Sequence, residues 1–298
     1  FDETPFVETY GLSGLKSYFQ VKEIFSKLVF GDKYEAIFKE AYQDKTRLEA
    51  KLYQDNLLNI LNCKINALSP IRNAARSDVM NAFAAHREKR IFFLEAPTGL
   101  GKTFTSLQLA LNIADLKNKK RIICALPMTS IIDQTHREYS KIIDNQSLLK
   151  FHHLSKPKDY VDRENEETNE KEYFRQKNDF LSASWGLDKV IVTTFNQVFN
   201  AFYSNQNRDL VKFWALRDSV VIFDEIQSIP RILLRDFAIT VRYLSVELNV
   251  DFILMSATIP AVKPMLPPDT WCNLLDERYY AMDFNNRYTL AFKKEINT

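Results

Sequence analysis

The chain has 298 residues, of which 46% are hydrophobic and 26% charged, and its formal net charge is +2. This apolar content is ample for the buried core of a globular, soluble protein. The near-balanced charge excludes a positive field over the whole surface, so any nucleic-acid contact must come from local patches.

No apolar run reaches the roughly 18 residues that a membrane span needs. The opening FDETPFVETY also lacks the basic start and the apolar stretch of a signal peptide. The three cysteines are far apart and show no CxxC spacing, which predicts reduced thiols. We therefore expect a cytoplasmic protein with no membrane partner. Because the chain starts at a phenylalanine, we also expect both ends to be cuts in a longer protein.

Helical and strand-like segments follow one another along the chain. From Leu12 to Leu61 apolar residues recur every three or four positions, which predicts amphipathic helices, and a further helix is predicted across 71–86. The strand-like runs are RIFFLEA, RIICALP, VIVTTF, VVIFDE and FILMSAT, several of them almost continuously hydrophobic. Such runs are typical of strands buried on both faces of a parallel sheet. The alternation predicts an α/β fold with a mainly parallel sheet, preceded by a helical segment. The first part of the charged stretch 154–179 is predicted to be a surface insertion.

The stretch APTGLGKT, residues 96–103, lies between a predicted strand and a predicted helix, the order of a P-loop. Ala96 stands where the GxxxxGK[ST] pattern has its first glycine. The glycines let backbone N–H groups converge on a triphosphate, and the helix N-terminus adds its positive dipole end. Lys102 is expected to bridge the β- and γ-phosphates of ATP, and Thr103 to bind Mg²⁺. The predicted nucleotide-binding residues are Pro97, Thr98, Gly99, Leu100, Gly101, Lys102 and Thr103.

The stretch FDEIQS follows the apolar run SVVI and supplies two acidic residues at a strand end. Asp224 is expected to hold Mg²⁺ through water, and Glu225 to orient or deprotonate the attacking water. Two acids after an apolar strand more often mark a turn, but the P-loop upstream reverses these odds. In LMSATIP, Ser256 and Thr258 end another buried strand, where their hydroxyls can bond the acidic motif and sense the γ-phosphate.

Two further polar stretches, 125–135 and 193–201, lie at strand ends on the same predicted sheet edge, where open α/β sheets bind ligands. Their side chains and backbone amides suit contacts to a phosphate backbone, although the same residue types also cap loops. Neither stretch is strongly basic, so a single strand would be held by hydrogen bonds and stacking. The predicted nucleic-acid contacts are Pro127, Thr129, Gln134, Thr193, Thr194, Asn196 and Gln197.

In chain order, these five motifs resemble motifs I, Ia, Ib, II and III of a superfamily 2 helicase. IFFLEAPTGLGKTFTSLQLAL, RIICALPMTSIIDQT, VIVTTFNQVFNA and LRDSVVIFDEIQSIP are similar to the helicase part of Cas3, the effector helicase-nuclease of type I CRISPR systems. The resemblance implies a RecA-like domain over 65–298 with ATP and Mg²⁺ as cofactors. Gln227 stands where many relatives have histidine and keeps that catalytic role through hydrogen bonds. INALSPIRNAARSDV resembles the segment ahead of the P-loop, which implies that Arg72 contacts the adenine.

The helical opening resembles the last helices of the HD nuclease domain that precedes the Cas3 helicase, which implies a separate segment over 1–64. The resemblance puts Asp32 at a metal-binding position, but all four histidines of the chain follow it, so we expect a remnant of the HD metal site. Most of the HD domain and the second RecA-like domain, whose arginines reach the γ-phosphate, are expected to be missing. Slow ATP hydrolysis by the chain alone follows from that.

The resemblance implies an ATP-dependent helicase or translocase on single-stranded DNA in CRISPR interference, recruited by the surveillance complex Cascade. A general superfamily 2 RNA or DNA helicase would use the same motifs, and a 2′-OH contact is required to favour RNA. A non-catalytic docking module would keep the nucleotide site as a structural element. The intact Lys102, Thr103, Asp224 and Glu225 argue against the docking module, which would show no metal-dependent nucleotide affinity.

Overall fold

The computed structural model describes residues 6–63, 68–152, 177–258 and 260–281. The predicted helical opening forms two helices, α1 (Phe6–Phe38) and α2 (Ala50–Cys63), separated by a non-helical stretch over 39–49. The predicted surface insertion lies almost entirely outside the described residues. Within these ranges, no helix combines the length with the apolar character that a membrane crossing requires.

After the two opening helices, strands and helices alternate. The strands are β1 (Ile91–Glu95), β2 (Arg121–Leu126), β3 (Leu148–Phe151), β4 (Val190–Thr194), β5 (Ser219–Phe223), β6 (Asp251–Ser256) and β7 (Trp271–Asn273). The helices are α3 (Ser69–Ala85), α4 (Lys102–Lys117), α5 (Thr129–Tyr139), α6 (177–184), α7 (Phe195–Tyr203), α8 (Asn207–Leu210), α9 (Leu234–Glu247) and α10 (Arg278–Ala281). Short 3₁₀ turns follow β5 and precede α9.

The seven strands of the described chain form one sheet in the order β3-β4-β2-β5-β6-β1-β7, and every pairing is parallel. The predicted α/β fold with a parallel sheet is therefore confirmed. The two outermost strands, β3 and β7, were not predicted because they are too short to give a clear apolar run. Since β6 lies between β1 and β5, the P-loop, the acidic motif and the Ser256 motif meet at one sheet edge.

Each face of the sheet carries its own buried core, because successive side chains of a strand point to opposite faces. In β1, Phe92 and Leu94 join the core beneath α2, α3 and α4, whereas Ile91 and Phe93 join the core beneath α1, α7 and α9. Each such side chain contributes about 1.5–3 kcal/mol relative to an exposed one. Both opening helices are thus part of the packing around the sheet, and a domain boundary at residue 64 stays a prediction.

Candidate nucleotide site and adjoining cleft

The P-loop connects β1 to the start of α4 through two residues with left-handed backbone. Gly99 and Gly101 have φ angles of 93° and 85°, a conformation that residues with a Cβ adopt rarely. Ala96 N donates to Ser256 O at 3.1 Å, which ties the beginning of the loop to β6. The helix then begins at Lys102, so the N–H groups at its N-terminus lie beside the loop. This backbone suits an anionic phosphate group.

The loop side chains differ in their exposure. Thr98 is exposed, while Pro97 and Thr103 are half-buried. Leu100 is only 3% exposed because its side chain packs into the core beneath α3 and α4. Leu100 is therefore available to a ligand through its backbone alone.

Asp224 and Glu225 form the turn that follows β5. Asp224 N donates to Ala125 O at 3.0 Å and continues the sheet by one residue. Glu225 then adopts φ 59° and ψ 49°, a left-handed conformation that costs about 1–3 kcal/mol for a non-glycine residue. In this turn, Glu225 Oε1 lies 3.4 Å from Lys102 Nζ. The turn thus brings the acidic motif against the P-loop lysine.

Asp224 carries a buried carboxylate oxygen, Oδ1, that has no hydrogen-bond partner among the described residues. Burial and then the neighbouring Glu225 raise the pKa of Asp224 to about 6, although Lys102 acts in the opposite direction. An unpaired buried carboxylate is costly, and Mg²⁺ prefers oxygen ligands. Asp224, with the Thr103 hydroxyl from the P-loop, is therefore a fitting donor set for Mg²⁺, directly or through water.

Gln227 connects the acidic turn to the end of β6. Its Nε2 donates to Glu225 Oε2, and its Oε1 accepts from Ser256 Oγ at 2.7 Å. Thr258 N donates to Ser256 Oγ at 3.1 Å, with the two hydroxyl oxygens 3.5 Å apart. Lys102 is thus linked through Glu225, Gln227 and Ser256 to Thr258. Such a network can transmit a change at the phosphate site to β6.

Arg72 lies on α3 beside the P-loop. Its Nε donates to Gly99 O at 2.9 Å, and its side chain borders Gly101. A small cavity of about 100 Å³ opens next to it, and Arg76 and Phe104 also line this cavity. The position is consistent with a residue that faces the base of a nucleotide, and the adenine contact itself stays a prediction.

A polar cleft of about 880 Å³ adjoins the carboxyl ends of β2 and β4. It brings together most of the predicted nucleic-acid contacts, which come from two loops far apart in sequence. Five of the seven predicted residues line it, namely Pro127, Thr129, Thr194, Asn196 and Gln197.

The other two predicted contacts lie elsewhere. Thr193 is completely buried, and its hydroxyl donates to Phe151 O at 2.7 Å. It therefore holds β3 against β4 and does not face the cleft, because neighbouring residues of a strand point to opposite faces. Gln134 is exposed on α5 but does not line the cleft.

The cleft also contains residues that the sequence did not reveal. Lys212, Asp209, Arg208 and Met128 line it beside the predicted residues. The first three come from the segment after α7, which has no recognisable motif. Only the fold brings them to the cleft.

Asp32 is exposed on α1. Among the described residues, no group of three or more His, Cys, Asp or Glu side chains is arranged to hold a metal ion. The described part of the chain thus offers Asp32 no partner ligands, and the remnant HD site stays a prediction.

Comparisons with known proteins agree with this geometry. Residues 74–265 match the family described as "DEAD/DEAH box helicase". The chain is 34% identical over 184 residues to "CRISPR-associated nuclease/helicase Cas3" of Haloferax volcanii. It is 27% identical over 175 residues to "Putative CRISPR-associated nuclease/helicase Cas3" of Methanocaldococcus jannaschii. The alignments cover 57% and 58% of this chain but only 19% and 23% of the relatives, so the chain spans about a fifth of their length.

Solved structures give the same result for the fold. T. fusca Cas3-AMPPNP has a TM-score of 0.54 at 17% identity, covering 72% of this chain and 23% of that chain. T. fusca Cas3-ATP has a TM-score of 0.52 at 18% identity, with the same coverage of both chains. At these identities the likeness is one of fold, and it confirms the predicted RecA-like fold. The resemblance to Cas3 that the motifs predict is likewise confirmed by the curated relatives.

Proposed function

The chain belongs to the DEAD/DEAH box helicase family, and from this premise we propose that it is the ATP-binding half of a Cas3-type helicase motor. The proposed activity is ATP-dependent translocation on single-stranded DNA in CRISPR interference. The observation that carries the proposal is the bonded series from Lys102 through Glu225 and Gln227 to Ser256. A P-loop that only binds nucleotide as a structural element does not require an acid, an amide and a hydroxyl hydrogen-bonded in series to its lysine.

Each member of this series has a role in hydrolysis. Lys102 binds the β- and γ-phosphates, and Glu225 orients or deprotonates the attacking water. Thr103 and Asp224 would hold Mg²⁺, which would supply positive charge against the phosphates when bound. A γ-phosphate carries more negative charge than one carboxylate, so its arrival draws Lys102 away from Glu225. Once Lys102 has left, Glu225 can act on water, so this step depends on the presence of ATP.

Gln227 and Ser256 transmit the change of partner at Glu225 to the rest of the domain. When Glu225 changes partner, the Gln227 amide must adjust, because it bonds Glu225 on one side and Ser256 on the other. Ser256 ends β6, which lies between the P-loop strand and the acidic strand. The γ-phosphate state is therefore coupled to the position of the segment that begins with Thr258.

The cleft at Thr194 and Gln197 is the proposed binding site for a DNA strand. Its lining offers hydrogen-bond donors and acceptors rather than a dense positive charge, as suits backbone contacts that do not read the bases. Single-stranded DNA and recruitment by the CRISPR surveillance complex Cascade are implied by the resemblance of the motifs to Cas3. The names of the similar curated proteins, CRISPR-associated nuclease/helicases, support the CRISPR setting. A general superfamily 2 helicase would bind RNA equally well.

The proposal also includes partners for the chain. The relatives are about five times longer than the segment that it matches, and a complete helicase motor needs arginines from a second RecA-like domain. An arginine finger is worth about 10³–10⁵ in rate. The chain is therefore proposed to act with a second RecA-like domain and an HD nuclease domain, and to hydrolyse ATP slowly by itself.

ATP hydrolysis tests the proposal. It is measured for the chain alone and for the chain supplied with a Cas3 second RecA-like domain, each with no nucleic acid, single-stranded DNA or single-stranded RNA. We expect strong hydrolysis only with the second domain and DNA together. Equal stimulation by RNA favours the general helicase, and no hydrolysis in any combination despite Mg·ATP binding favours the docking module.

A further inference from the structure

We propose that Lys212 is a positioning residue that holds the Gln197 amide at the wall of the cleft, and that α1 supports it through the buried carboxylate of Asp209. This inference rests on the proposed nucleic-acid function of the cleft. A lysine that lines a nucleic-acid cleft would ordinarily be a phosphate ligand.

The Lys212 ammonium is engaged by the protein itself. Lys212 is only 2% exposed, and its Nζ donates to Gln197 Oε1 at 2.7 Å and to Asp209 Oδ1 at 2.9 Å. The same ammonium lies over the rings of Phe151 and Trp185, at 5.1 Å and 5.8 Å from their centres. Its charge is thus balanced by Asp209 and enclosed by aromatic rings. A phosphate would have to displace these partners to reach it.

The contact with Lys212 fixes the orientation of the Gln197 amide. An ammonium group has donors and no acceptor, so it binds the oxygen of the amide and excludes the flipped arrangement. Gln197 N meanwhile donates to Thr194 Oγ1 at 3.3 Å, at the start of α7. The NH₂ group of Gln197 remains as a donor that no described contact uses. Gln197 therefore offers a donor to an acceptor in the cleft, such as a phosphate oxygen.

Asp209 connects this arrangement to α1. Its second carboxylate oxygen, Oδ2, accepts from Ser204 Oγ at 2.9 Å. From α1, Lys22 Nζ donates to Ser204 O at 2.5 Å. Ser26 Oγ, also on α1, donates to Leu210 O at 2.6 Å. The helix thus holds the chain on both sides of Asp209, and with it the Lys212 ammonium.

The salt dependence of DNA binding distinguishes positioning from phosphate binding. Binding of a fluorescently labelled oligothymidylate to the chain is measured by anisotropy over a salt series. A lysine that contacts phosphate contributes about 0.7 to the slope of log affinity against log salt for a single strand. For Lys212→Met we expect about tenfold weaker binding with an unchanged slope. A slope that becomes shallower by about 0.7 in Lys212→Met overturns the proposal.

A double-mutant cycle tests whether Lys212 acts through Gln197. Gln197→Ala should weaken binding by itself, and adding Lys212→Met to it should cause no further loss. Independent losses from the two substitutions contradict the proposal. The matched control is Lys141→Met, which removes one lysine from a solvent-accessible pair with Glu138 that does not line the cleft, and it should leave affinity unchanged.

Asp209→Asn keeps the shape of the side chain and tests the pair if Lys212→Met does not fold. If Asp209 and Lys212 act as a positioning pair, Asp209→Asn should weaken DNA binding and leave the salt slope unchanged. Tighter binding with a steeper slope would mean that the released ammonium binds phosphate, and would overturn the inference. If the unchanged chain binds no single strand, the proposed function of the cleft fails. If it binds normally and the variants do too, only the role of Lys212 is wrong.

Discussion

Lys102 Nζ lies 3.4 Å from Glu225 Oε1, so the side chains assigned to phosphate binding and to water activation are paired with each other. Both belong to the same sheet edge, one from the loop after β1 and one from the turn after β5. In the proposed mechanism, the pair keeps Glu225 engaged until phosphate replaces it as the partner of Lys102. This proposal links hydrolysis to complete occupation of the P-loop.

Lys102→Ala should abolish ATP-driven activity and leave DNA affinity nearly unchanged. The ammonium contributes to phosphate binding, so we expect hydrolysis to fall by about 10²–10³-fold. The cleft proposed to bind DNA does not include Lys102. Hydrolysis is measured on the chain supplied with a second RecA-like domain, and DNA binding on the chain alone. A parallel loss of DNA affinity would contradict the separation of the two sites.

Glu225→Gln should trap bound ATP. The substitution preserves the size of the side chain but removes the carboxylate proposed to activate water, and loss of a general base costs about 10²–10⁴-fold in rate. Nucleotide binding should survive, because Lys102 and the loop backbone are unchanged. Single-turnover hydrolysis together with equilibrium ATP binding separates these effects. Hydrolysis at the normal rate would show that another group is the base.

Ser256→Ala should uncouple hydrolysis from DNA. It leaves Gln227 Oε1 without its 2.7 Å donor, so Glu225 loses the support on its far side. We expect unchanged ATP affinity and about tenfold lower DNA-stimulated hydrolysis, equivalent to ~1.4 kcal/mol in the barrier. Ser140→Ala, on an exposed serine at the end of α5, is the control. An equal effect of both substitutions would contradict the coupling role.

Lys22 should make stability depend on pH in a defined direction. Burial lowers the pKa of Lys22 to about 7, with Asp209 acting in the opposite direction. Between pH 7 and pH 10 the unfolded chain therefore holds a proton at Lys22 that the folded chain lacks, so stability rises with pH across this window. Lys22→Met removes this dependence.

Chemical denaturation at several pH values measures this difference. The free energy of unfolding of the unchanged chain, minus that of Lys22→Met, should fall as the pH is lowered from 10 to 7. Taking the difference cancels the titration of the buried tyrosines that do not contact Lys22. A difference that stays constant across this window would mean that Lys22 remains charged in the folded chain.

The catalytic motifs were predictable because their chemistry requires particular residues in one short stretch. A glycine loop followed by Lys102 and Thr103, and an acidic pair after an apolar strand, can be read directly from neighbouring letters. The strand order that brings Ser256 beside Gln227 follows from the fold, and the predicted contact between the two motifs is present.

Other features depend on contacts that no local pattern records. The Lys212–Asp209 pair lies in a segment without a motif, and the support from Lys22 crosses 182 positions of the chain. Thr193 was predicted to face a ligand because its residue type suits a phosphate contact. Its side chain is instead buried and bonds Phe151 O, because successive side chains of β4 point to opposite faces of the sheet. The break over 39–49 went unpredicted, although the five polar residues 43–47 interrupt the apolar spacing there.

Binding of ATP to the chain, titrated by calorimetry with and without Mg²⁺, tests the central claim most directly. We predict measurable affinity that increases when Mg²⁺ is present and is lost in Lys102→Ala, because the lysine and the Thr103–Asp224 donor set act on the same phosphates. The same weak affinity in the presence and absence of Mg²⁺, unaltered by Lys102→Ala, would contradict the nucleotide site and with it the helicase motor.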